Sequence, residues 1–441
     1  MMNLESKQKR ARELALEILE EVFEEGAYSN IALNKALKQS ALSSADKSLV
    51  TELVYGTVAR KITLEWQLAH WVEDRDKLDN WLYILLELSL YQMLYLDKIP
   101  QHAVVNEAVE IAKGRKRGSE KYVNAILRKI ERDGAADPTT INRKNKRYSV
   151  QYSLPVWLVK VLIDEYGEER AEAIFASLFE RNKASIRVTD LAQKGEIKAV
   201  LGADDSLLAP SALVKKQGHF AGHEFFEKGL ITIQDESSQL VAPTLHIEGN
   251  EQILDACSAP GGKTVHMASY LTSGQITALD LYDHKLDLIR QNAERLGLAD
   301  KITTKKLDAT KVFETFGPNA FDKILVDAPC SGIGLIRRKP DIKYNKENAD
   351  FENLQKIQLD ILDSVCQSLR KGGIITYSTC TIVSAENFEV VKKFLERHPN
   401  FEQVRLEHER EDIVKDGCIL ITPELYESDG FFISQFRKIS E

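Results

Sequence analysis

The sequence predicts a multidomain chain: an all-α bundle, then a small α+β module, then a Rossmann-like α/β domain. Three observations predict it. Apolar residues recur at helical spacing through the first third. Short strand-like runs separate two helical stretches in the middle. The second half alternates strand and helix, which implies right-handed crossovers and a parallel sheet.

Residues 1–138 form the first domain in this reading. Leu14, Ile18 and Val22 fall four apart on one face, and Leu49, Leu53, Val54 and Val58 make another stripe. Trp81 to Leu96 is strongly apolar, and Ala103 to Ile111 and Tyr122 to Ile130 are amphipathic. Gly26, Pro100, Gly114 and Gly118 punctuate the helices, and Asp133 to Pro138 reads as a linker. Residues 139–235 form the small module, with helices from Pro155 to Tyr166 and Glu169 to Phe179. Its short strands are Ser185 to Thr189, Ala212 to Lys215 and Leu230 to Gln234. Residues 236–441 form the α/β domain. Its strands are Gln252 to Ala256, Gln275 to Asp280, Ile302 to Asp308, Phe321 to Asp327, Gly373 to Ser378 and Phe431 to Phe436. Helices such as His284 to Leu296, Asn353 to Leu369 and Ala385 to Glu396 lie between them.

Composition narrows the function. The chain has 441 residues, 43% hydrophobic and 29% charged, enough for two or three real cores. No apolar stretch reaches the roughly 20 residues that cross a bilayer, and Met1 to Arg12 has no apolar signal core. Five widely spaced cysteines argue against a disulfide framework and for a reducing cytoplasm. With no CxxC pair and nine scattered histidines, no metal is expected. A net charge of -8 conceals a local reversal. Lys113 to Arg147 holds twelve Lys or Arg against four Asp or Glu, and Arg337-Arg338-Lys339 is a second basic cluster. A basic run alone is most simply a solvated helix face; it gains meaning if the chemistry elsewhere points to RNA.

That chemistry lies at strand ends, where open α/β sheets bind ligands. Asp255, Asp280, Asp308 and Asp327 close four successive strands. After Asp255 comes Cys257-Ser258-Ala259-Pro260-Gly261-Gly262-Lys263-Thr264, a small-residue turn that lets a ligand approach the backbone. It is not a phosphate loop, because the first glycine of GxxxxGK[ST] would fall at Cys257. An acid at Asp280, about 20 residues past the turn, suits ribose hydroxyls, and Asp308 lies within reach of an adenine amino group. One such aspartate is an ordinary helix cap; four in a row favour a nucleoside cofactor.

The strand that ends at Asp327 and the one after it both run into cysteine motifs, Asp327-Ala328-Pro329-Cys330-Ser331-Gly332 and Tyr377-Ser378-Thr379-Cys380. C5 of cytosine is too poor a nucleophile to take a methyl group directly. A thiolate adding at C6 makes C5 enamine-like and able to attack a methylsulfonium, which is covalent catalysis. A carboxylic acid at N3 stabilises charge pushed onto the ring, and Asp327 stands three residues from Cys330. Cys366, Cys418 and Cys257 read as small buried hydrophobes.

On these motifs the chain resembles the cytosine-5 RNA methyltransferases of the Sun/Fmu (RsmB) type. Asp255 to Thr264 resembles the family's S-adenosylmethionine loop, Pro329-Cys330 its PC motif and Thr379-Cys380 its TC motif. Leu53 to Val58, Ala103 to Val109 and Tyr122 to Arg128 resemble its NusB-like, RNA-binding helical domain. The resemblance implies a seven-stranded methyltransferase sheet. It implies Cys380 as nucleophile at C6, Cys330 in product release, Asp327 holding the base and Lys263 beside it. It implies that Cys257 to Lys263 form the cofactor loop, with Asp280 on the ribose and Asp308 on the adenine side. The implied cofactor is S-adenosyl-L-methionine, leaving as S-adenosyl-L-homocysteine. The implied partner is small-subunit (16S) ribosomal RNA, and the implied enzyme is a cytoplasmic monomer with no membrane partner. Family members often carry a His after the proline of the C-terminal segment, where this chain has Pro423-Glu424-Leu425, so no catalytic role is placed there. The alternatives are the same chemistry on transfer RNA, or a non-catalytic NusB-like RNA-binding assembly factor.

Overall fold

A computed structural model describes residues 10–440 except 217 and 219. They form two compact units, one running to Ala171 with Arg338–Asn345 added, the other comprising Glu172–Arg337 and Lys346–Glu441. The stretch expected as a separate module, 139–235, is split by this division, and Arg338–Asn345 interrupts the stretch 236–441.

The first unit is helical, with helices Ala11–Glu24, Ser29–Gln39, Ser44–Ala59, Lys61–Leu68, Asn80–Tyr95, Gln101–Arg115 and Ser119–Asp133. Asn80–Tyr95 is its centre, buried from Leu82 through Gln92. A helix apolar all round belongs inside a core. Its polar groups turn inward on the helix itself: Ser89 Oγ donates to Leu85 O at 2.7 Å and Gln92 Nε2 to Leu88 O at 3.0 Å. Ser119–Asp133 is amphipathic and buries Val123, Ile126, Leu127 and Ile130. The added segment is held by specific bonds within this unit. Lys343 Nζ donates to Ala59 O at 2.7 Å, Tyr344 OH to Val58 O at 2.8 Å, and Ser29 Oγ bonds Asp341. Nothing in the periodicity of 338–345 announces this, because the partners lie some 280 residues upstream.

The second unit contains two sheets. The small one is antiparallel, of β1 Ala184–Val188, β2 Asp204–Asp205, β3 Ala212–Lys215 and β4 Ile231–Ile233, in the order β2-β3-β1-β4. The large one contains β5 Gln252–Asp255, β6 Gln275–Asp280, β7 Ile302–Lys306, β8 Phe321–Asp327, β9 Leu369–Thr379, β10 Phe401–Val404, β11 Val414–Lys415, β12 Cys418–Ile421 and β13 Phe431–Lys438. Its order is β11-β12-β13-β9-β8-β5-β6-β7, with β10 also paired to β13. β5 to β9 are parallel and β13 is antiparallel to β9.

The sheet therefore has nine strands where seven were expected. Beyond β13 one position is filled by two short strands: β12 pairs with Phe431–Ile433 and β10 with Gln435–Lys438. β11 adds a two-residue edge. Such long-range pairings leave little mark on local sequence pattern. β8 and β9, buried along most of their length, bring Asp327 opposite Ser378. Among the described residues, no helix is long and apolar enough to cross a membrane.

Candidate active site

β5 ends at Asp255, and the chain turns through 256–261 into the helix Gly262–Ala268. Gly261 makes the turn at φ 102°, where a side chain is strained, and a Cβ would stand 3.1 Å from Ile289 Cα. A Cβ on Gly262 would meet nothing within 4 Å, so that surface is open. Ser258 fastens the loop to β6, donating N–H and hydroxyl to Leu279 O at 2.9 and 2.7 Å. Asp255 is buried and accepts from Thr264 Oγ1 at 2.7 Å. Burial, aided by the charge of Asp327 and opposed by Thr264 and Lys263, pushes its carboxyl up to about 7.

The Cys257 thiol reports how the acids are arranged. Burial pushes its pKa up, and so do the charges of Asp255, Asp327, Asp280 and Asp308. The four strand-end aspartates thus converge on one loop. A cavity of about 300 Å³ opens there. It is walled by Cys257–Pro260, Gly262 and Lys263, by Asp255, Asp327 and Cys380, and by Asp235, Ser237, Ser238, Asp429 and Phe431. Asp280 and Asp308 stand outside its wall and cap their own turns. Asp280 accepts Tyr282 N–H at 3.1 Å, and Asp308 accepts the N–H and hydroxyl of Thr310 at 2.9 and 2.8 Å. Asp235 to Ser238 carried no motif; only its position directly after β4 could have hinted at a role. A larger cavity of about 810 Å³ touches Leu207, Arg405 and His408 and none of the motif residues.

The two cysteine loops meet at the neighbouring strand ends. Cys330 Sγ and Cys380 Sγ are 3.1 Å apart, and both residues are half-buried free thiols. The bond to Cys380, then burial, then the charges of Cys380 and Glu386 push the Cys330 thiol well above its ordinary pKa, against the Gly332 N–H. The two sulfurs lie within hydrogen-bonding distance of each other. Lys263 Nζ donates to Asp327 Oδ2 at 2.8 Å, and Ser378 Oγ donates to Oδ1 at 2.8 Å. Burial pulls the Lys263 ammonium down, but Asp327 and Cys380 outweigh it, so its pKa is raised and its charge kept. Its Nζ lies 5.1 Å over the Phe431 ring.

Backbone crossings fix the floor of this site. Gly334 N–H donates to Cys380 O at 3.1 Å, and Gly430 N–H donates to Gly334 O at 2.9 Å. A Cβ on Gly334 would fall 2.1 Å from Gly430 O, so only glycine fits. Among the described residues no three His, Cys, Asp or Glu come together to hold a metal. In the basic run of the helical unit, Arg115, Lys116, Arg128, Arg132 and Lys144 are ion-paired with Glu20, Asp79, Glu131, Asp133 and Glu168. That leaves fewer of the twelve cations available than the raw count implies.

A family model described as 16S rRNA methyltransferase RsmB/F matches residues 242–437, and a NusB family model matches residues 9–132. The chain is 43% identical, over 98% of its length and 99% of the relative's, to the Bacillus subtilis (strain 168) protein named probable ribosomal RNA small subunit methyltransferase B. It is 33% identical, over 97% and 99%, to the Shewanella oneidensis ribosomal RNA small subunit methyltransferase B. Two crystal structures share the fold. That of PH0851 has a TM-score of 0.82 over 99% of this chain and 100% of its own, at 24% identity. That of NSun6 from Pyrococcus horikoshii with SFG has a TM-score of 0.58 over 65% and 99%, at 21% identity.

Proposed function

The chain belongs to the RsmB/F family of 16S rRNA methyltransferases, and we propose that it methylates C5 of a cytosine in small-subunit ribosomal RNA through a covalent adduct at C6. The observation that carries this reading is the pair of thiols, Cys330 and Cys380, 3.1 Å apart at the edge of the cavity that Cys380 lines.

The residues beside the cavity fit S-adenosyl-L-methionine. Asp280 and Asp308, at neighbouring strand ends whose charges reach the Cys257 loop, supply acceptors for ribose hydroxyls and an amino group, and the open glycine turn admits close backbone approach. When bound, that cofactor supplies an electrophilic methyl group. The chain's own residues do the rest. The Cys380 sulfur, beside the Lys263 ammonium, forms a bond to C6, and the ring's electron pair moves to C5. Asp327, held by Lys263 and Ser378, holds the base by accepting from its exocyclic amino group, and the Lys263 ammonium beside it offsets the charge pushed onto the ring. Once C5 carries its methyl group, a water molecule takes the C5 proton. The C–H electron pair re-forms the C5–C6 double bond, and the pair of the breaking C6–sulfur bond stays on Cys380 as its thiolate. Cys330, 3.1 Å from the departing sulfur, assists its release by hydrogen bonding to it.

The test is a denaturing gel with labelled RNA. Cys330→Ala accumulates a covalent enzyme–RNA adduct and Cys380→Ala forms none. The opposite pattern would exchange the two roles. Bisulfite sequencing of 16S ribosomal and transfer RNA, with and without the gene, then identifies the RNA modified.

A further inference from the structure

Glu386 and Asn387, adjacent in the turn after β9, are fully buried and reach back to the two cysteine loops, which Ser331 Oγ and Thr381 Oγ1 join directly at 3.0 Å; Glu386 bonds chiefly to the Cys330 loop, with a further bond to Thr381. Glu386 Oε2 accepts the backbone N–H of Ser331, the residue after Cys330, at 2.8 Å. It also accepts Gln358 Nε2 at 3.1 Å, and the same Nε2 donates to Pro329 O, on the other side of Cys330, at 2.9 Å. Asn387 brackets Cys380 in the same manner. Thr379 Oγ1 donates to Asn387 Oδ1 at 2.5 Å, and Asn387 Nδ2 donates to Thr381 O at 2.9 Å. Tyr377 OH donates to Glu386 O at 2.7 Å and ties the pair to β9 itself. Neither residue lines the cavity.

We propose that Glu386 and Asn387 are positioning residues with divided duties: Glu386, through Gln358, sets the Cys330 loop, and Asn387 sets the Cys380 loop. The assignment rests on the covalent reading above. Two sulfurs on different loops keep a fixed separation only if both loops are anchored. Here the residues on both sides of each cysteine are bonded to a buried side chain, through the peptide groups of Pro329, Ser331 and Thr381 and the hydroxyl of Thr379. Removing the acceptor of Ser331 N–H leaves a buried donor unpaired, which is costly and moves the loop. Because the two loops serve different halves of the reaction, the two neighbours have different kinetic signatures.

The experiment follows adduct formation and decay on denaturing gels in the full-length protein, with S-adenosylhomocysteine affinity measured alongside. Glu386→Ala slows adduct decay about tenfold, the factor one buried hydrogen bond is worth, while formation changes less than about twofold. Glu386→Gln keeps an acceptor oxygen for Ser331 N–H and restores decay. Gln358→Ala, which spares the dipeptide, slows decay in the same direction and serves if Glu386→Ala fails to fold. Asn387→Ala in the Cys330→Ala background slows adduct formation about tenfold. Asn387→Asp does not rescue it, because a carboxylate oxygen would face Thr381 O. Failure of Glu386→Gln to restore decay, or equal changes of formation and decay in all variants, overturns the division of duties. Absence of any adduct from Cys330→Ala itself overturns the covalent reading, and this assignment with it.

Discussion

The two ends of β9 each carry a cysteine with chemically suggestive neighbours, and only one end is equipped to react. At the amino end, Cys366 Sγ lies 3.7 Å from His398 Nδ1, and His398 Nε2 bonds Asp363 Oδ1 at 2.7 Å. On paper this is a Cys-His-Asp triad. In space it is not, since the sulfur is almost equidistant from both ring nitrogens, at 3.7 and 3.9 Å, and neither is aimed at it. The sulfur instead donates to Asp363 O at 3.4 Å, and only 2% of the residue is exposed. Burial, then the Asp363 charge, pushes the thiol up to about 12, with Lys438 pulling weakly the other way. At the carboxyl end, Cys380 faces a cavity, a second thiol at 3.1 Å, and a lysine that keeps its charge. A reactive sulfur requires a cation or donor close by and room for a substrate, and Cys366, buried beside its imidazole, has no such room.

Alanine at each end of β9 tests this contrast most directly. Cys380→Ala is expected to lower methyl transfer by on the order of 10⁴-fold or more, the scale on which covalent nucleophiles are lost. Tritium transfer from labelled S-adenosylmethionine into ribosomal RNA measures it. Residual activity above about 1% would make Cys380 dispensable. Lys263→Met removes the cation near Cys380 and the donor to Asp327 while keeping the stem over Phe431. It is expected to cost about 10²-fold in kcat, the typical value of one preorganised electrostatic partner. A change confined to KM would place Lys263 in binding alone.

A smaller effect separates Asp255 from the thiols. Its carboxyl is held at about 7 in the fold, against about 3.9 in an unfolded chain. Between those values the folded state binds more protons than the unfolded one, so stability from this group is present at low pH. It is lost as pH rises through about 7. Asp255→Asn removes the titration. The variant is expected to gain on the wild type by roughly 1–3 kcal/mol between pH 5 and pH 8, since a tenfold change in proton affinity corresponds to about 1.4 kcal/mol. Urea unfolding at the two pH values reads it; parallel stability curves for the two proteins would contradict it.

How much of this was legible in the sequence follows the range of the interactions. The four strand-end aspartates and the two cysteine motifs were readable because each sits beside its own strand, and strand and motif are local. The nearness of Cys330 and Cys380 followed from two parallel strands being neighbours. The split position occupied by β10 and β12, and the passage of Arg338–Asn345 into the helical unit, were not readable. They are decided by partners tens to hundreds of residues away. The sequence pattern puts Glu386 and Asn387 inside a helix from Ala385. In the fold they precede the helix Phe388–Arg397, and their side chains serve the cysteine loops instead. Asp280 and Asp308 show the opposite limit: the sequence placed them at strand ends, but not that each also bonds its own turn.

The least conspicuous variant tells the two ends of β9 apart best. At pH 8 a thiol held at about 12 is ionised in only about one molecule in 10⁴. Cys366→Ala is therefore expected to leave kcat and KM within about twofold, while removal of a small buried sulfur costs about 1 kcal/mol of stability. Iodoacetamide labelling followed by mass mapping gives the same answer by another route. At pH 8 alkylation is expected at the carboxyl end of β9, and Cys366 is expected to be modified only after the protein unfolds. Prior labelling of Cys366 in the folded protein, or a large loss of transfer in Cys366→Ala, would mean that the imidazole does activate the sulfur, and that exposure and neighbouring charge are the wrong criteria for judging which cysteine reacts.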